Sequence, residues 1–145
     1  KTVEFYKKKK MSKITLLHCV SNYPCADASL NLTVMNTLRQ AFQIPVGYSD
    51  HSVGPEAATL SIAFGAKVIE KHFTLRRSDG GVDAAFSLEP AEMEQLVIET
   101  ERAFLALGRV HYGPTEAEKG SFAGRRSLYI AEDVKEEEER DEEHQ

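Results

Sequence analysis

The stretch Ile44–Thr74 reads IPVGYSDHSVGPEAATLSIAFGAKVIEKHFT, two short apolar runs joined by an amphipathic segment, with a histidine where each run ends. The runs near Ile44 to Tyr48 and from Lys67 to Lys71 have the length and β-branched content of strands. Between them Gly54-Pro55 opens a helix, because the N–H that proline lacks has no partner in a first turn anyway. Ala58, Ile62 and Ala63 line its inner face, and Gly65 stops it. Strand, helix, strand is the βα pattern of a parallel sheet. If the two strands are neighbours, His51 and His72 emerge on one rim. That placement suits a divalent metal held by two imidazoles, with coordination positions left for substrate.

The alternation continues on both sides. Ile14–Leu17 is a first strand, followed by a loop from His18 to Ser29. A helix then starts near Asn31 and sets Val34, Met35, Leu38, Ala41 and Phe42 on one side. After the third strand a long loop, Thr74 to Ser87, leads to a helix that Pro90 begins and Gly108 ends. Met93, Leu96, Val97, Thr100, Phe104 and Leu107 give that helix a continuous stripe expected in the core. Residues 1–108 thus read as an α/β segment of three βα units. Residues 109–131 read as a connector rich in Gly, Pro, Glu and Ser that ends in a strand-like run, Arg125–Ile130. Residues 132–145 form an acidic tail.

The 145 residues, 41% of them hydrophobic, suffice for one core but are few for a whole barrel enzyme. No apolar run approaches the roughly 18 residues of a membrane span, and Lys1–Lys13 lacks the apolar centre of a signal peptide, so a cytoplasmic protein with no membrane partner is expected. Cys19 and Cys25 have no second pair, which points to reduced thiols near a strand end rather than a zinc knuckle or disulfide framework. Nine acids against Lys135 and Arg140 put −7 in the tail, and the net charge is −5, so the remaining body is about +2. Like charges with little apolar surface to bury make the tail a solvated helix extension or a disordered end. Lys7–Lys10 has no interleaved aromatic and sits where a helix ends, so nucleic-acid binding is not expected.

Reactive groups of parallel α/β folds gather beyond the C-terminal ends of the strands. Ser21, Asn22 and Tyr23 follow the first strand, Ser49, Asp50 and His51 the second, and Lys71 and His72 the third. Ser21, Asn22 and Ser49 with Lys71 form a set able to hold a phosphate or carboxylate; alternatively the three small polar residues make turns. Asp50 either orients His51 through its second nitrogen or caps the turn before Gly54. Gly80-Gly81 gives a loop able to close over the site and bring Asp83 to the substrate. Neither GxxxxGK nor GxGxxG occurs.

Five ordered motifs, Leu17–Pro24, Gly47–Ser52, Val68–Thr74, Asp83 with Phe86–Pro90, and Arg125–Leu128, resemble the sialic acid (nonulosonic acid) synthase family between about Leu16 and Asp133. Asp83–Ser87 and Arg126–Tyr129 lean toward pseudaminic acid synthases. The resemblance implies the C-terminal three βα units of a TIM (β/α)8 barrel, which in the family is followed by an antifreeze-like domain. It also implies a homo-oligomer, a dimer in the family. The implied reaction condenses phosphoenolpyruvate with an N-acetylated amino sugar: the enol carbon attacks a metal-polarised aldehyde, water adds, and phosphate leaves. His51 and His72 would hold manganese or magnesium, Ser21 and Ser49 would contact the phosphate, and Tyr23 and Asp83 would border the sugar as the catalytic pair. Five earlier strands and the antifreeze-like domain have no counterpart in these residues, so the expectation is a piece of a synthase with little activity alone. The alternative is an association module whose strand edges pair with another chain.

Overall fold

The computed structural model describes residues 1–11, 13–126, 128, 129 and 131. Two compact units divide the chain, Lys1–Arg109 and Val110–Gln145. In the first, strands β1 (Leu16–Cys19), β2 (Val46–Asp50) and β3 (Ile69–Lys71) form an all-parallel sheet in the order β1-β2-β3. Helices α1 (Thr2–Lys8), α2 (Val34–Phe42), α3 (Glu56–Ser61) and α4 (Pro90–Leu107) accompany it.

Strands β1 and β2 each start two residues later than the apolar runs predict. Pro45 has no N–H to give a ladder, although its carbonyl accepts from Leu16 N at 3.0 Å, so pairing begins at Val46. It then runs on through Ser49 and Asp50, all five residues of β2 being buried. Polar residues are tolerated there because the ladder satisfies the backbone, and both side chains find partners described below.

Register assigns the faces. Leu16 pairs with Val46, His18 with Tyr48, and Tyr48 with Ile69, so one face carries Leu16, Val46, Tyr48 and Ile69. Val46, Tyr48 and Met35, each at most 1% exposed, join Leu30, Leu32, Ala57 and Ile62 in a core between sheet and helices. Burying a side chain the size of Met35 contributes about 1.5–3 kcal/mol. On α3, Ala57, Ala58 and Ser61 face inward with Ile62 just beyond, while Ala63 is exposed, contrary to the expected inner face. The chain turns at Gly65, whose φ of +86° suits glycine and little else.

Helix α4 has the expected bounds. Pro90 stands in its first turn, and Glu89 with Glu92 forms a capping box. Its stripe is a different matter. Leu96 is 4% exposed and Met93 packs beside it, but Val97, Phe104 and Leu107 are more than half exposed. Eighteen residues of helix span about 27 Å, whereas the three of β3 span about 10 Å, so the helix outruns the strand, of which Ile69 packs with Met93 and Leu96. Phe104 instead lies under the ammonium of Lys67, 5.3 Å from its ring centroid.

In the second unit Glu116–Gly124, within the expected connector, is a 3-10 helix whose Thr115 and Glu118 form a capping box. Arg125, Arg126, Leu128 and Tyr129 lie in no strand, which corrects the expected run; Ser127, Ile130 and the acidic tail from 132 fall outside the described residues. Among the described residues no helix is long and apolar enough to cross a membrane.

Candidate functional site

The face of the sheet opposite the helices carries Leu17, Cys19, Gly47, Ser49 and Glu70, the alternate residues of the three strands. The same alternation continues past the strand ends to His51 and His72, whose ring centroids lie 5.2 Å apart with the rings nearly perpendicular. Tyr23 covers them: its ring is 4.1 Å from that of His51 and 5.9 Å from that of His72. Phe86 closes the fourth side, 5.0 Å from His72 and 6.0 Å from Tyr23.

Backbone contacts hold this cluster. Cys25 N donates to His51 O at 2.8 Å, tying the loop after β1 to the end of β2. His51 Nδ1 lies 2.8 Å from Val20 O. A carbonyl only accepts, so Nδ1 carries the proton and the Nε2 lone pair is left for a ligand. The loop after β3 returns through Thr74 N to Leu88 O and Leu88 N to His72 O, both 2.9 Å, around the single parallel bridge Phe73–Leu88. That return places Phe86 in the cluster and Asp83 Oδ2 3.6 Å from His72 Nδ1. Ser87 Oγ donates to Asp83 O at 2.7 Å, fixing the segment that carries the carboxylate.

Arg77 anchors the same loop to α4. Its guanidinium pairs with both carboxylate oxygens of Glu92 and donates to Ser87 O at 3.1 Å, while its backbone N–H donates to Glu89 at 2.8 Å. The hydrogen bonds from Arg77, and then that from the Glu89 backbone N–H, hold the Glu92 carboxyl below the ordinary carboxylate range. A carboxyl lowered in the folded state stabilises the anchor above its ordinary pKa and loses that contribution as pH falls through the lowered value. Amide-exchange protection around Ser87–Glu89 should therefore stay level near neutrality and fall only on strong acidification. In Glu92→Gln it should be weak at every pH; a wild-type-like profile in that variant would contradict this anchoring.

Asp50 does not touch His51. Its Oδ1 accepts from Ser52 N at 2.8 Å, Ser52 Oγ at 2.7 Å and Tyr48 OH at 3.2 Å, so of the two roles open to it, it caps the turn. Burial and the neighbouring Asp50 push the Tyr48 phenol well above its usual range. Lys71 completes this group: its ammonium donates to Asp50 Oδ2 at 2.8 Å and to Ser52 O, and its side chain is 2% exposed. This corrects the placement of Lys71 in a substrate site, because the register puts it on the helix side of the sheet with Asp50.

Of the sequence candidates, Tyr23, His51, His72 and Asp83 come together, and Ser49 lies on the same face two residues before His51. Ser21 and Asn22 are exposed on the loop after β1. Two residues were not anticipated. Glu70 accepts a hydrogen bond from Ser49 Oγ at 2.7 Å, and its spacing of two from His72 was the available signal. Phe86 is brought in by the loop's return, for which the sequence holds no periodic signal. None of the clustered residues lines the cavity of about 500 Å³ formed by Leu30, Leu32, Ala57, Leu60 and Phe64.

The histidine pair suits a metal. An imidazole nitrogen stands about 2.1 Å from a bound ion, which puts its ring centroid about 3.2 Å away, so two rings sharing an ion at 90–110° have centroids about 4.5–5.3 Å apart. The separation of 5.2 Å falls within that range. Among the described residues no group of three or more His, Cys, Asp or Glu side chains converges on one point.

The NeuB family profile matches residues 1–112. An N,N'-diacetyllegionaminic acid synthase of Legionella pneumophila is 43% identical over 122 residues, which are 83% of this chain and 34% of that protein. A pseudaminic acid synthase of Campylobacter jejuni is 37% identical over 93% of this chain and 39% of its own length. The crystal structure of an N-acetylneuraminic acid (sialic acid) synthetase from Leptospira borgpetersenii, in complex with citrate, superposes with a TM-score of 0.76 at 44% identity. That match covers 87% of this chain and 44% of the other. The chain thus spans little more than a third of the length of these curated relatives.

Proposed function

Because the chain belongs to the NeuB family, we propose that it supplies the C-terminal βα portion of a TIM-barrel nonulosonic acid synthase, a cytoplasmic enzyme that condenses phosphoenolpyruvate with an N-acetylated amino sugar and releases phosphate. The names of its relatives support the product class. The observation that carries the reading is the convergence of His51 and His72 beneath Tyr23, with Asp83 beside His72.

On this reading His51 and His72 hold manganese or magnesium, which when bound polarises the sugar carbonyl and orients both reactants. Val20 O keeps His51 in the tautomer that offers Nε2. Tyr23 and Phe86 wall the site against water and present apolar surface to the sugar ring. Asp83, with Oδ2 3.6 Å from His72 Nδ1, would accept a hydrogen bond from a sugar hydroxyl. Ser21 and Asn22 offer donors for phosphate, Ser49 does so once its hydroxyl leaves Glu70, and a partner subunit completes the site.

Titration with Mn2+, followed by loss of the free-ion electron paramagnetic resonance signal, tests this. His51→Ala and His72→Ala should each weaken binding by tenfold or more. Equal binding by both variants and wild type would leave the second reading, a non-catalytic association module. In favour of that one, β1 and β3 each pair only with β2 among the described residues, so each presents an outer edge.

A further inference from the structure

Ser49 and Glu70 are register partners on β2 and β3, side by side on the open face, and the Ser49 hydroxyl donates to Glu70 Oε1 at 2.7 Å. Ser49 is 5% exposed while Glu70 is exposed, so a solute approaching the hydroxyl meets the carboxylate first. A serine hydroxyl has a single proton. While Glu70 holds it, Ser49 presents only lone pairs to an incoming anion, next to a negative charge. The nearby cation of the sheet, Lys71, does not offset that charge, because it is buried on the other face against Asp50.

We propose that Glu70 is a specificity-determining residue that guards the Ser49 hydroxyl against free phosphate. To bond Ser49, a phosphate ion must displace the Glu70 carboxylate and then sit beside it, where like charges repel. This rests on the proposed function, in which phosphate is a product: a corner that holds free phosphate poorly favours its departure. A substrate anion anchored elsewhere in the site is able to displace Glu70, since the exchange is then intramolecular and the repulsion is opposed by its other contacts.

Calorimetric titration with inorganic phosphate tests this on wild type, Glu70→Gln, Ser49→Ala and the double variant, each checked for native helix content by circular dichroism. Glutamine keeps the shape, removes the charge and is able to donate to Ser49 Oγ, which frees the hydroxyl proton for the anion. Glu70→Gln should bind phosphate at least tenfold more tightly than wild type, and the gain should vanish in the double variant. Equal or weaker binding by Glu70→Gln, including no detectable binding, overturns the proposal, as does a gain that survives Ser49→Ala. The Mn2+ titration of the histidine variants is a separate readout, so failure of the metal reading and failure of this one are told apart.

Discussion

Replacing Lys71 by methionine is expected to lower stability by about 3–5 kcal/mol, the largest effect foreseen for a single substitution in this chain. Methionine preserves the stem of the side chain and its packing, so the loss isolates the ammonium. What remains is Asp50, with no side-chain exposure, keeping its bonds from Tyr48 and Ser52 but losing its counter-charge. An ion pair out of water is a weak net gain over an apolar pair, yet breaking it from one side leaves a charge that neither solvent nor protein neutralises. A domain is stable by about 5–15 kcal/mol in all, so the variant should approach the unfolding threshold. Asp50→Asn in the same chain should recover much of the loss, because the amide oxygen still caps Ser52 and no charge is stranded. Urea unfolding of the three proteins decides it: a Lys71→Met midpoint matching wild type would show that the pair contributes nothing.

Gly47→Ala is expected to cost about 3 kcal/mol, at the upper end for overpacking. A β-carbon there would stand 2.4 Å from Val68 O and 2.5 Å from Leu17 Cδ2. The leucine is able to turn away. The carbonyl is not, because it accepts the Tyr48 N–H at 2.9 Å and so belongs to the joint between β2 and β3. Relief requires the two strands to part at Gly47, one alternation before Ser49 and two before His51. The variant should therefore lose Mn2+ affinity together with stability, whereas Leu17→Ala on the glycine background should leave Mn2+ affinity intact. Gly47→Ala unfolding at the wild-type urea midpoint would show that the strands separate freely and that close approach is not what this glycine provides.

These two positions sit on opposite faces of one sheet, which explains how the helical layer and the reactive rim share three short strands. Asp50, Tyr48, Ser52 and Lys71 form a polar group inside the helix-facing core that fixes the end of β2. One residue further along the chain, His51 turns to the open side and meets His72.

The sequence by itself determined the order of β1 to β3 and of the helices between and after them, the bounds of α4 from Pro90 to Leu107, and the coincidence of two histidines with two strand ends. Each rests on local chemistry: proline and glycine punctuation, the capping glutamates, and apolar spacing. Period-two alternation also separates Lys71 from His72, so that correction was within reach of the sequence. Tertiary structure alone decided that β2 extends through Asp50, that much of the α4 stripe stays exposed, that Asp50 pairs with Lys71 rather than His51, and that Phe86 joins the site. The physical reason is common to all four. Periodicity records which side of an element is apolar, but what that side meets depends on register and element length across the sheet, and a charge finds its partner by distance in space rather than along the chain.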